Sequence, residues 1–336
     1  METVINVSSV CKNYFLPKES INAAQWLRRI VRPEYDMHAC LTDINFSLRP
    51  GSALGFIGPN GAGKSSLIKI LCGIQKPTSG SVRVLGFDPS KRDRQFLKQI
   101  GAVFGHKTSL WWDLPVKTSL DTYRKIYGVS NIDYSERLSE LVEALNLANV
   151  LNRPVRNLSL GERVKCELAL NLMHAPTLIF LDEPTVGLDV TSKYEIRKYL
   201  NYKRKVEGLS IFLTSHDLGD IESCCEEAII LDRGRIRFDG SMRELNDELK
   251  DTVQLTVTTV AQEQYEAVLE KFKQKMQASQ QLDPVSEANE QLVYVVSTSK
   301  ITTVYELFEP GIYTLEIKAL DFENSVVNLF NSWASE

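Results

Sequence analysis

Gly58-Pro-Asn-Gly-Ala-Gly-Lys-Ser65 follows the apolar run Ser52 to Ile57 (SALGFI) and opens the helix-favouring stretch Ser65 to Cys72. The spacing is G-x-x-x-x-G-K-[ST], in the strand-to-helix setting that gives this motif its meaning. Glycines there let successive backbone N–H groups turn inward around phosphate oxygens, and the helix behind adds the partial positive charge of its N-terminus. Lys64 is placed to reach β and γ phosphates, and the Ser65 hydroxyl suits Mg²⁺, a hard cation held by oxygens. Gly58, Pro59, Asn60, Gly61, Ala62, Gly63, Lys64, Ser65 and Ser66 are therefore the candidate contacts to ATP.

Working outward, the run Thr177 to Leu181 (TLIFL) ends in Asp182-Glu183, so two carboxylates stand at the C-terminal edge of a buried parallel strand. That edge is where open α/β sheets take their ligands. Asp182 suits the Mg²⁺ shell, and Glu183 suits polarising an attacking water. A third apolar run, Ser210 to Ser215 (SIFLTS), leads into His216. Strand-like and helical stretches alternate from Thr3 to about Leu249, the pattern of an α/β fold with a parallel sheet. From Asp251 the character changes to an alternating strand (Asp251 to Thr259), a charged helix (Gln262 to Met276), a short loop over Gln274 to Gln281 and a further strand (Leu292 to Ser297). The expected division is an ATP-binding domain over residues 1–249 and a small α+β accessory domain over 250–336.

The chain has 336 residues, 43% hydrophobic and 24% charged, which excludes disordered and collagenous classes. Its 39 Lys and Arg against 43 Asp and Glu give a formal charge of −4, so no global positive field recruits nucleic acid. No run of apolar residues is long enough for a membrane span, and the opening METVINVSSV is too polar for a secretory segment. Six cysteines without zinc spacing read as reduced, mostly core thiols, with Cys224 and Cys225 on a buried and an exposed face of one helix. Near the start, AQWLRRIVR sets Trp26, Leu27, Ile30 and Val31 beside Arg28, Arg29 and Arg32. This basic amphipathic segment fits a membrane surface, a partner, or packing on its own domain equally well.

Between the phosphate loop and Asp182-Glu183 lies Asn157-Leu-Ser-Leu-Gly-Glu162, at the start of a helical run to Ala175, which resembles the signature of ABC-type ATPases. Tyr14, Asp189 in TVGLD and His216 in LTSHD then fall, in order, where that family has its adenine-stacking aromatic, its D-loop aspartate and its switch histidine. The resemblance covers about residues 1–249. It implies a RecA-like core with antiparallel β and helical subdomains, the helical one over about 104–165. VFGHKTSLWWDLPV, VRNLSLGER and LDEPTVGLDV look more narrowly like the ATPase subunits of ABC-2 type exporters. The implied protein is a peripheral ATPase on the cytoplasmic face of the membrane, serving ABC-2 type transmembrane permease subunits. It would work as a head-to-tail dimer, a homodimer if both subunits are this chain, with Ser159 and Gly161 meeting the partner's ATP in trans. Trp111 and Trp112 cannot face one core together, so one anchors the helical subdomain and the other is a candidate for the permease groove, or both are structural.

Two departures from the family pattern stand out. Leu160 and Glu162 replace the signature's usual first glycine and its glutamine, and Glu162 is expected to face solvent or an arginine such as Arg163. His106 stands where the family has a glutamine that senses Mg²⁺ and water, and an imidazole is the poorer Mg²⁺ ligand. Two rival readings are a soluble ABC ATPase acting on ribosome or DNA, and a nucleotide-gated regulatory module with little hydrolysis.

Overall fold

The computed structural model describes residues 3–17, 35–105, 107–215, 218–250, 252–259, 265–280, 286–288, 291–306, 313–319 and 326. The basic segment around Trp26, His106 and His216 lie outside the described residues. The chain divides into two compact units, Met1–Met242 and Arg243–Glu336, somewhat earlier than the boundary near 249 read from the sequence.

In the first unit, β1 (Ile5–Pro17), β2 (Tyr35–Leu48), β3 (Ala53–Ile57), α1 (Lys64–Leu71) and β4 (Ser79–Val84) come first. There follow α2 (Arg94–Gln99), β5 (Ile100–Phe104), α3 (Val116–Tyr127), α4 (Asn131–Ala144) and α5 (Leu160–Leu172). The unit is completed by β6 (Leu178–Asp182), α6 (Val190–Glu207), β7 (Ser210–Ser215), α7 (Leu218–Cys224), β8 (Glu227–Asp232) and β9 (Arg235–Ser241). Helix α8 (Met242–Lys250) spans the division.

The central sheet runs β5-β6-β7-β3-β8-β9, parallel except for the last strand. β3 and β7 are buried at every position, which is why they read as unbroken apolar runs rather than alternating ones. In register, Ile57 lies beside Ser215 and Thr214 beside Asp182. The carboxyl ends of β3, β7 and β6 thus share one edge, with β7 between the phosphate loop and the two acids. A second sheet, β2-β1-β4, is antiparallel. Phe46 of β2 joins it to the parallel sheet, its ring centroid 5.5 Å from Phe56 and 6.0 Å from Phe212.

β1 continues to Pro17 and β2 begins at Tyr35, with Tyr14 opposite His38. The tail of this hairpin exposes Phe15, Tyr35 and Met37, so no buried face imposes an alternation there. The limit near Lys165 falls inside α5, which runs unbroken to Leu172 and packs on β5. Both Cys224 and Cys225 are buried, in place of the expected split, and burial pushes both thiols up. They are inert core residues.

The second unit is an antiparallel sheet in the order β11 (Ser286–Ala288), β12 (Gln291–Ser297), β10 (Thr252–Thr259), β13 (Tyr313–Ala319), with helices α9 (Tyr265–Gln280) and α10 (Ile301–Glu306). α9 carries through most of the stretch read as a loop near Gln274. Phe272 and Met276 of α9 are buried with Tyr294 and Val257 in a separate core. Among the described residues, no helix is long and apolar enough to cross a membrane.

Candidate active site

The loop from Gly58 to Gly63 leaves β3 under tight constraint. A Cβ on Gly58 would lie 2.4 Å from the carbonyl oxygen of Leu231, so no side chain fits. Gly63 adopts φ +111° and passes the backbone of Cys40, where a Cβ would lie 2.9 Å from a carbonyl oxygen. No side chain caps the start of α1 behind it, which leaves that helix end open to an anion.

Lys64 is 5% exposed, and its ammonium donates to the carbonyls of Gly58 at 2.6 Å and Pro59 at 3.2 Å. Its Nζ lies 3.7 Å from Glu183 Oε1. Burial lowers the Lys64 pKa, opposed by the charges of Glu183 and Asp182. The Ser65 hydroxyl donates to Asp182 Oδ1 at 3.3 Å, and Thr214 Oγ1 donates to the same oxygen at 2.7 Å. A hydroxyl and a carboxylate oxygen meeting beside the phosphate loop is the donor set that a hard divalent cation takes. Glu183 has left-handed backbone, φ 51°, and its N–H donates to Thr214 O at 3.0 Å. The fold therefore brings together Lys64, Ser65, Asp182 and Glu183.

Thr214 is a residue that sequence reasoning passed over, although it lies in the quoted run SIFLTS. Asp220 is another. It is 1% exposed and accepts hydrogen bonds from Arg197 Nε at 2.6 Å, from Ser215 Oγ at 3.1 Å and from the Thr185 hydroxyl. An acid in a helical stretch reads as a solvated surface charge, so nothing local in the sequence marks it.

Tyr14 reaches α1 and the turn beyond it through its hydroxyl, which is 3.0 Å from Ser66 Oγ and donates to Gln75 at 2.8 Å. Gly161, by contrast, lies against Asp189 and Ser192. Ser159 caps α5, its hydroxyl accepting from the N–H of Glu162 at 3.2 Å, while the Glu162 carboxylate accepts from the N–H of Ser159 at 2.8 Å. This reciprocal capping box was present in the sequence as S-x-x-E. The arginine paired with Glu162 is Arg153, at 3.0 Å, and not Arg163, whose guanidinium lies over the Trp112 ring at 5.7 Å. The Ser159 N–H and the nearby Arg153 lower the Glu162 pKa, so the carboxylate is charged. A Cβ on Gly161 would lie 2.6 Å from Ser192 Oγ and 3.3 Å from Asp189 Oδ2, so the start of α5 rests directly on the start of α6.

Gly105 donates to the Asp182 carbonyl at 2.9 Å, and the segment beyond His106 is pinned to α5 by Glu167, which accepts from Thr108 Oγ1 at 2.8 Å and Ser109 N at 2.9 Å. A groove of about 200 Å³ follows, lined by Phe104, Lys107, Thr108, Trp112, Arg163 and Glu167. Trp111 and Trp112 are both exposed, so neither is the buried anchor of the helical subdomain.

Residues 41–186 match the ABC transporter family model. The chain is 32% identical over 212 residues to the uncharacterized ABC transporter ATP-binding protein YhcH of Bacillus subtilis, covering 63% of this chain and 68% of that protein. It is 29% identical over 203 residues to the ABC transporter ATP-binding protein NatA of Bacillus subtilis, covering 60% and 82%. Against the probable multidrug ABC transporter ATP-binding protein YbhF of Escherichia coli it is 31% identical over 240 residues, 70% of this chain but only 40% of that relative. Among solved structures, an ATP-binding subunit of an ABC transporter superposes with TM-score 0.61 over 73% of this chain and 93% of that one, at 24% identity. A dimeric ATP-binding cassette in a post-hydrolysis state, bound to ADP and Pi, gives 0.59 over 71% and 99%, at 22% identity. The fold is that of these ATPase domains.

Proposed function

The chain belongs to the ATP-binding proteins of ABC transporters, and from that membership we propose that it powers an ABC-2 type exporter by closing and reopening as an ATP-loaded dimer. The observation that carries the proposal is the convergence of Lys64, Ser65, Asp182 and Glu183 on one sheet edge, with Lys64 Nζ 3.7 Å from Glu183 and Ser65 Oγ 3.3 Å from Asp182.

In this reading the backbone N–H groups of Asn60 to Ser66 hold the phosphates, Lys64 exchanges its contacts with Gly58 and Pro59 for β and γ oxygens, and the Tyr14 ring stacks on adenine. Ser65 and Asp182 would hold Mg²⁺, which supplies charge neutralisation between the phosphates when bound. Glu183 orients the water in line with the γ phosphorus and takes up its proton. His216, the residue after Ser215, fixes that geometry, and His106 takes the sensing role. Ser159, Gly161 and Asp189 serve the partner's nucleotide in trans. The groove beside Trp112 and the exposed Trp111 receive a cytoplasmic helix of the permease, which would hold the protein peripherally at the cytoplasmic face of the membrane.

The second reading, a nucleotide-gated module with little hydrolysis, draws on the Glu162 carboxylate at the N-terminus of α5. Glu183→Gln decides between them. Wild type that turns over ATP, with a mutant that binds ATP and accumulates as a dimer, excludes the module. Gentle detergent extraction of native membranes tests the exporter: recovery with a polytopic partner supports it, and recovery with ribosomes, DNA or the soluble fraction alone removes it.

A further inference from the structure

We propose that Asp220 is a positioning residue for ATP hydrolysis: one buried carboxylate fixes the segment after Glu183 and the strand end before His216 in a single mutual register. The inference rests on the hydrolytic reading above and adds to it a residue outside the sequence motifs.

Three elements meet at this carboxylate. Thr185, two residues beyond Glu183, is 2% exposed and donates its hydroxyl to Oδ2. Ser215, the last residue of β7, is 0% exposed and donates to the same oxygen at 3.1 Å. Arg197, in the body of the helix that Asp189 caps, donates to Oδ1 through Nε at 2.6 Å and also through Nη2. The two oxygens are thus divided between two hydroxyls on one side and a guanidinium on the other.

Fold stability alone does not call for an acid at this place. A buried ion pair with its hydrogen-bonding partners is commonly replaceable by packed apolar side chains at little or no loss of stability, whereas removing one partner leaves an uncompensated charge. What the acid adds is direction, because each donor must lie at hydrogen-bond distance from a fixed point and cannot slide as an apolar contact can. Glu183 needs such a restraint. It sits in left-handed backbone outside helix or strand geometry, tied on its N-terminal side to Thr214. The Thr185–Asp220 bond ties the C-terminal side. Ser215 brings the end of β7 to the same carboxylate. The segment after Glu183 and the end of β7 are therefore referenced to one buried atom.

The test uses the full chain and ATP. Thr185→Val keeps the shape and removes the donor; Thr185→Ser keeps the donor. The expected result for the valine variant is a loss in kcat of about tenfold or more, since small misplacements of reacting groups are that costly. Its KM for ATP and its directly measured ATP affinity should stay within about twofold, because Lys64 and its loop are untouched. The serine variant should keep most of the wild-type kcat. If the valine variant does not fold, Ser215→Ala is read by the same split. A valine variant with wild-type kcat per nucleotide-binding site, whatever its thermal midpoint, overturns the role of Asp220. Wild type that binds ATP and does not hydrolyse it overturns the hydrolytic reading, and this inference with it.

Discussion

Lys64 carries a charge that burial disfavours. For a lysine whose folded pKa lies below its unfolded value, the unfolded chain binds more protons between the two, so stability rises with pH through that window. Lys64→Met should accordingly raise the thermal midpoint at neutral pH while abolishing ATP binding, the trade expected where function needs an unfavourable group. A lowered midpoint with binding lost would contradict it. Glu162 gives the second prediction. Glu162→Gln keeps the capping geometry and loses the ionic part of the contact to Arg153, a part-exposed pair, so stability should change by about 1 kcal/mol or less. In a Glu183→Gln background the same change should lower the ATP concentration needed for dimer formation on size exclusion. Lys64, Ser65, Asp182 and Glu183 were legible because motif and strand context agree. Glu162 stood out only as a departure from the signature, expected to face solvent or an arginine such as Arg163; its partner is Arg153. Asp220 was not legible, since burial of a lone acid depends on donors far away in sequence, up to 35 residues for Thr185.

Among the elements, α3 and the turn after α5 are joined by a stack of His174 on Tyr127, ring centroids 3.9 Å apart. Nε2–H of His174 donates to the carbonyl of Ile100 at 2.9 Å, while Nδ1 is buried without a partner. Burial dominates and pushes the imidazole down to about 4. Above the unfolded value of 6.5 this group has no effect on stability. As pH falls from 6.5 to about 4, the unfolded chain gains a proton that the folded one refuses, and stability is lost by up to about 1.4 kcal/mol per pH unit. His174→Phe should flatten the urea-unfolding profile across that window, and an unchanged slope would remove His174 from acid lability. The buried strands were the readable elements, because burial on both faces leaves an unbroken apolar run. The Tyr35 end of β2 and the strand Tyr313–Ala319 were not, the first being exposed on both faces and the second lying beyond any motif that anchors a reading.

At the scale of the whole molecule, the two units have separate cores, one built around Phe56, Phe180 and Phe212 and one around Phe272 and Tyr294. Calorimetry should show two transitions. MgATP at about a hundred times its Kd should raise the free energy of the first by about 2.7 kcal/mol and leave the second in place. A single transition that moves as one with nucleotide would refute this independence. Phe212→Ala should cost about 3–5 kcal/mol and act on the nucleotide-sensitive transition alone. The first unit was readable as a whole since its motifs succeed one another in order along the chain; the division before 249 was not, because α8 carries no motif.

The contact between Gly161 and Ser192 also bears on how this sequence can change over time. A side chain at 161 would collide with Ser192 Oγ, and Ser192 binds Asp189 through both its N–H at 2.9 Å and its hydroxyl at 2.7 Å. Making room by shrinking position 192 first removes half of that cap. Every single-step path toward a larger residue at 161 therefore passes through an intermediate with either a steric clash or a weakened Asp189 loop, which makes the pair an evolutionary ratchet in which neither position drifts alone.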